Sequence, residues 1–177
     1  MIGTKIPELN FMARIGDEEP VDGGCPIGGE WNVMKSAEMF SGKRTLVFSL
    51  PGAFTPTCSS QQLPGFEENY DAIRAMGVDE VYVSSVNDGF VMSAWAEKLK
   101  IKNVKVIPDG NATLACALDM LTDLSVIGFG VRSRRFAVII NDNEVEMAFV
   151  EPAGTRENED PYGETTPENV MSYLAGN

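Results

Sequence analysis

Histidine is absent from the 177 residues. That absence excludes the Ser-His-Asp and Cys-His pairs, in which an imidazole takes the proton from the nucleophile. A zinc centre is excluded with it, because four ligands cannot be assembled from three scattered cysteines. Three is also an odd number without framework spacing, which fits a reducing compartment rather than a disulfide scaffold. Basic residues are few: 14 Lys and Arg against 26 Asp and Glu leave a net charge of −12, so nucleic acid and anionic membranes are poor partners. The longest apolar runs, 45–50 and 136–140, fall far short of the roughly 20 residues of a membrane span. No basic segment followed by an apolar stretch opens the chain, so no secretory signal is expected and the cytoplasm is the expected location.

What is present is an ordinary globular composition, with 44% hydrophobic residues and enough chain for one core. No repeat, low-complexity tract or linker interrupts residues 1–177, which read as a single domain. The part up to Val33 is punctuated by Gly and Pro and suggests short hairpin strands. Ser36 opens a short helix over 36–40. Residues 45–50 form a near-continuous apolar run, the pattern of a central strand covered on both faces.

Pro51-Gly52 breaks that strand, and Thr55-Pro56 reads as an N-cap followed by Pro at the first helical position. Phe66, Tyr70, Ile73 and Met76 keep helical spacing to about Gly77, with Pro64 expected to kink the path. Further strands are predicted over 81–86 and 104–107. Asp88 caps a helix carrying Val91, Trp95 and Leu99, and another helix is predicted over 112–121. Residues 135–140 and 144–150 make a hairpin around Asn141-Asp142-Asn143, its second arm placing Val145, Met147 and Phe149 on one face. Thr166-Pro167 caps a last helix through Ala175. The acidic stretch 151–168 reads as a solvated face. Strands alternating with helices, then a hairpin and a helix, give an α/β domain with a mixed sheet flanked by helices and an N-terminal hairpin extension.

Cys58 falls in the first turn of the helix that Thr55 opens, where unpaired N–H groups and the positive end of the helix dipole converge. An ordinary thiol is only about 3% thiolate at pH 7, and bringing its pKa down to ~6 takes about 3 kcal/mol. One helix end supplies about 1 kcal/mol, so a nearby cation is needed as well. The alternative on spacing alone is a small buried hydrophobe, as free cysteines commonly are. Polar neighbours from Thr57 to Gln62 argue against deep burial.

The segment Pro51-Gly52-Ala53-Phe54-Thr55-Pro56-Thr57-Cys58-Ser59 resembles the peroxidatic-cysteine segment of peroxiredoxins. The group it most resembles holds type-five, plant type II and peroxiredoxin–glutaredoxin hybrid members. Leu63-Pro64-Gly65-Phe66, Ser85-Val86-Asn87-Asp88-Gly89-Phe90-Val91 and Arg132-Ser133-Arg134-Arg135-Phe136 follow in the matching order, and the likeness runs from about Ile2 to Leu174. It implies a thioredoxin-like fold. It also implies an antioxidant thiol peroxidase that reduces hydrogen peroxide and alkyl hydroperoxides in cell redox homeostasis, with no cofactor and no metal.

On this likeness Cys58 is the peroxidatic nucleophile that becomes a sulfenic acid. Thr55 bonds the thiolate and the incoming peroxide, and Pro51 shields the sulfur from water. Arg135 is the missing cation, a planar fork of donors that never accepts a proton. Asn87 and Asp88 are a turn and a cap, not catalytic groups. Where relatives have His before Leu-Pro-Gly, this chain has Gln62, a change of tuning. No cysteine occupies the resolving positions that some relatives use.

Cys25 reads as a loop thiol and Cys116 as core. A one-cysteine mechanism is therefore expected, with glutathione and glutaredoxin, or thioredoxin, as reductant. Relatives pair as homodimers through loops around the site, which makes Phe54 and Gly128-Phe129-Gly130 the interface candidates. The competing reading is a non-catalytic peroxide sensor or redox-controlled binding protein.

Overall fold

The computed structural model describes residues 1–18, 27–152 and 160–176. Its centre is a five-stranded sheet of order β5-β4-β3-β8-β9, from β3 (Arg44–Leu50), β4 (Glu80–Ser85), β5 (Lys105–Pro108), β8 (Phe136–Asn141) and β9 (Glu144–Val150). β3, β4 and β5 run parallel, while β8 is antiparallel to both β3 and β9. As the apolar run predicts, β3 is central and buried on both faces. Leu46, Phe48 and Leu50 point into one cluster with Leu63, Phe66, Ile73, Met92, Trp95 and Val170. Val47 points the other way, to Phe11, Phe40, Leu114, Phe136 and Val138.

The first cluster is covered by α2 (Leu63–Glu68), α3 (Tyr70–Ala75), α4 (Gly89–Lys98) and α6 (Pro167–Ala175), the second by α1 (Ser36–Phe40) and α5 (Thr113–Ala117). This is the mixed, two-sided α/β layering of the thioredoxin fold. β1 (Asn10–Glu18) and β2 (Ile27–Lys35) form the expected N-terminal hairpin. Asp88 accepts from the Val91 N–H at 3.0 Å and Thr166 from the Asn169 N–H at 3.3 Å, so both predicted caps are in place. Among the described residues no helix is long and apolar enough to cross a membrane.

Three expectations are corrected. The helix predicted over 112–121 is only Thr113–Ala117, bounded by left-handed Ala112 (φ 56°) and Asp119 (φ 57°). The chain then enters an unforeseen hairpin of β6 (Leu121–Asp123) and β7 (Val131–Ser133). Cys116 is exposed rather than core: Leu114 and Leu118, four apart, hold the buried face, and a residue two positions on points away from it. Val145 does not share a face with Met147 and Phe149. A β-bulge lets Ile139 face Met147 while Ile140 faces Val145, so Val145 joins the α1/α5 cluster and the other two the opposite one. The extra residue, Glu146, pairs with Arg44 at the sheet edge.

Phe48 and Phe66 stack with centroids 4.1 Å apart and join the sheet to the helix that carries Cys58. Phe66→Ala is expected to cost about 3–5 kcal/mol of stability, seen as a lower denaturation midpoint in urea at unchanged slope. A loss below 1 kcal/mol would show that the pair does not anchor the helix.

Candidate active site

The site lies where β3 ends and a helical path begins. Pro56 opens that path, and its first intrahelical bond runs from the Ser59 N–H to the Thr55 carbonyl at 3.0 Å. Thr55 therefore occupies the N-cap position, and Cys58 the first turn, where backbone N–H groups precede the hydrogen-bond ladder. Cys58–Gln62 then widens into a π turn, in which the Leu63 N–H reaches back five residues to the Cys58 carbonyl. Pro64 explains the widening. Its nitrogen has no hydrogen to give the carbonyl four residues back, so the expected kink takes the form of a π turn. Trp95 on α4 donates its indole N–H to the Ser59 hydroxyl at 2.9 Å and holds the turn against the core.

Cys58 is fully buried, contrary to what its polar neighbours suggested. Arg135 follows the β7 hairpin arm and immediately precedes β8, where the ladder holds its backbone: its carbonyl accepts from the Glu151 N–H at 3.1 Å. The side chain, 4% exposed, donates from Nη1 to the Cys58 sulfur at 3.4 Å. Nη1 also donates to Oε1 of fully buried Gln62, and Nη2 to the Asp160 carboxylate. The Tyr162 ring lies 5.7 Å from the guanidinium carbon. Burial opposes the charge on Arg135, yet the Cys58 sulfur and the Asp160 carboxylate outweigh it and push the guanidinium above its ordinary value. Burial, with the charge of Glu168 added, pushes the Tyr162 hydroxyl up to about 12, so it stays protonated at neutral pH. Two donors, Arg135 Nε and Gln62 Nε2, are buried with no acceptor among the described residues. Each such donor costs about 1–3 kcal/mol.

The Pro51–Thr55 turn is braced by neighbouring segments. Asn87 Oδ1 accepts the Ala53 N–H at 3.0 Å, which suits a turn-building residue, and Arg132 Nη1 reaches the Pro51 carbonyl at 3.4 Å. Phe54 is left-handed (φ 64°), a conformation costing a non-glycine residue about 1–2 kcal/mol. The Thr55 hydroxyl donates to the Gly52 carbonyl at 2.8 Å, not to the sulfur as expected, because the tight turn brings that carbonyl to it first. Its lone pairs remain for a donor. Pro51, Thr55, Arg135 and Asp160 line one groove of about 800 Å³, with Val126 and Phe129 on its apolar side.

The acidic stretch is not simply a solvated face. Glu151 is buried, and its Oε1 accepts from the Gly163 N–H (2.9 Å), the Thr165 N–H (2.7 Å) and the Thr165 hydroxyl (2.8 Å). This ties the segment bearing Asp160 and Tyr162 to the end of β9. Sequence reasoning missed Glu151, Asp160 and Tyr162; a charge run carries no mark of which member turns inward. Cys25 lies outside the described residues.

A thioredoxin-fold sheet with a buried cysteine opening a helix and bonded by an arginine defines a candidate thiol site. A model of the Redoxin family matches residues 3–165. Peroxiredoxin y4vD of Sinorhizobium fredii is 44% identical over 175 residues, spanning 98% of this chain and 91% of that protein. Hybrid peroxiredoxin hyPrx5 of Haemophilus influenzae is 39% identical, covering 99% of this chain and 66% of its own. The solved Plasmodium falciparum antioxidant protein, a 1-Cys peroxiredoxin, superposes with a TM-score of 0.83 at 34% identity over 98% of each chain. The chain belongs to the peroxiredoxins, the thiol peroxidases of the Redoxin family.

Replacing Glu151 by Leu removes the acceptor shared by three donors. We expect a stability loss of more than about 2 kcal/mol and faster hydrogen exchange at the Gly163 and Thr165 amides. Unchanged protection at both amides would show that Glu151 does not fasten the segment.

Proposed function

We propose that Cys58 is the peroxidatic nucleophile of a one-cysteine peroxiredoxin, with Arg135, Thr55 and Pro51 completing the site. The observation that carries this reading is the 3.4 Å bond from Arg135 to a fully buried sulfur, on a guanidinium whose Nε–H has no partner among the described residues. The thiolate attacks the terminal oxygen of a hydroperoxide, an S–O bond forms, and the O–O bond breaks. Sulfur is oxidised to the sulfenic level and the alkoxide or hydroxide leaves. Arg135 meets the negative charge that develops on the oxygens, and its free donor suits that task. The Thr55 oxygen accepts a hydrogen bond from the peroxide O–H, whose proton stays on the oxygen transferred to sulfur, and Pro51 lines the groove wall that limits water.

The sulfenic acid condenses with an external thiol to a mixed disulfide and water, and a second thiol releases reduced Cys58. Cys116 is badly placed to resolve it. α5 packs on the opposite face of the sheet from the cluster containing Cys58, and a disulfide needs Cα atoms within about 7 Å. The likeness to a 1-Cys peroxiredoxin supports the one-cysteine reading, with glutathione and glutaredoxin, or thioredoxin, supplying the external thiol.

The same reading makes the protein a homodimer. Val126, Ile127 and Phe129 line the groove with Val126 99% exposed, and Phe54, next to Thr55 of the groove, and Val131, next to the turn-bracing Arg132, are exposed as well. Exposed apolar side chains grouped in this way mark an interface.

Cys58→Ser should abolish turnover with peroxide and reductant, and Arg135→Met should slow peroxide oxidation of Cys58 by at least about a hundredfold in stopped-flow fluorescence. Normal attack rates in Arg135→Met would remove the role given to the guanidinium. One equivalent of peroxide should leave no Cys58–Cys116 or Cys58–Cys25 disulfide in mass spectra, and either bond in high yield overturns the one-cysteine mechanism. Sedimentation should show a dimer that Ile127→Asp converts to monomer; an unchanged dimer would move the interface elsewhere.

A further inference from the structure

We infer that Gln62 is a positioning residue for peroxide attack, aiming Arg135 at the Cys58 sulfur. The inference rests on the roles proposed above for Cys58 and Arg135. Nη1 of Arg135 carries two hydrogens, and the structure assigns both: one to the sulfur at 3.4 Å, the other to Gln62 Oε1. A guanidinium only donates, so the Gln62 amide must turn its oxygen toward Arg135 and its nitrogen away, which accounts for an Nε2 without a partner among the described residues. With one hydrogen of a planar group held by Oε1, the other has a single direction left.

Gln62 is suited to this by where it sits. It stands four residues after Cys58 on the same helical path, at the end of the π turn whose closing bond is made by the Cys58 carbonyl. One backbone segment therefore carries both acceptors of Nη1. Asp160, the acceptor on Nη2, comes instead from a surface segment with its side chain 42% exposed. A fully buried amide on the nucleophile's own turn is the more rigid of the two guides. It also carries no charge. The positive charge of Arg135 is thus not divided with a second buried anion and remains available to the sulfur and to the leaving oxygen.

Two substitutions of similar length test this. Gln62→Met removes the acceptor while filling the same space, and Gln62→Glu keeps an oxygen at the same reach but adds a charge. Reduced wild type and both variants are mixed with hydrogen peroxide in stopped flow, following tryptophan fluorescence, and in parallel with iodoacetamide, whose reaction needs no donor on a leaving oxygen. We expect peroxide oxidation of Gln62→Met to fall about tenfold to a hundredfold. Its alkylation should change far less, and Gln62→Glu should recover an intermediate peroxide rate. A merely structural Gln62 predicts otherwise: both variants equally slow toward peroxide, or Met at the wild-type rate. Either result overturns the inference. Arg135→Met measured alongside separates the two levels, since a normal rate there would sink the underlying site assignment and not the role of Gln62 alone.

Discussion

The contact between the Arg135 guanidinium and the Cys58 sulfur is the interaction around which the site is built. A chain without histidine has no imidazole to activate a nucleophile. A reactive sulfur in such a chain would come from stabilisation of the anion and not from a neighbouring imidazole base. A buried guanidinium can do this because it keeps its charge where burial would neutralise an ammonium or an imidazolium. Neighbouring elements then act on that one group: Gln62 and Asp160 fix its nitrogens, Tyr162 covers it, and Glu151 holds the segment that brings Asp160 and Tyr162 in.

The sheet makes such a contact possible. Arg135 and Cys58 are 77 residues apart and meet because β8 lies antiparallel beside β3, with register pairs such as Ser49 with Phe136. That pairing sets the start of β8 next to the end of β3, where the Pro51–Thr55 turn feeds the helical path. Arg132 and Asn87 then brace the turn from two further neighbouring segments. The buried donors that meet no acceptor among the described residues carry a local cost that the packed clusters on either face of the sheet offset.

Much of the frame was legible from residues alone. The apolar run through Val47 and Phe48 marks a strand covered on both faces, and Asp88 and Thr166 mark helix starts that the structure confirms. These features are local, set by period and by cap chemistry within a few residues. The misreadings share a different cause. The bulge at Glu146 reverses the facing of Val145 through a pairing with β8 that the strand's own alternation does not reveal. Cys116 looks apolar in sequence and is exposed because the core lies on the other side of its short helix.

The motif around Cys58, the absence of imidazole and the alternation of strands with helices determined the family, the fold class and the candidate nucleophile, because each is written in neighbouring residues. Only the folded chain decided which of many charged groups would surround the sulfur. Glu151 and Asp160 belong to one acidic run, yet one is buried under three donors and the other reaches Arg135. Their roles depend on what a returning segment meets across the end of the sheet, a distance in space that has no counterpart along the chain.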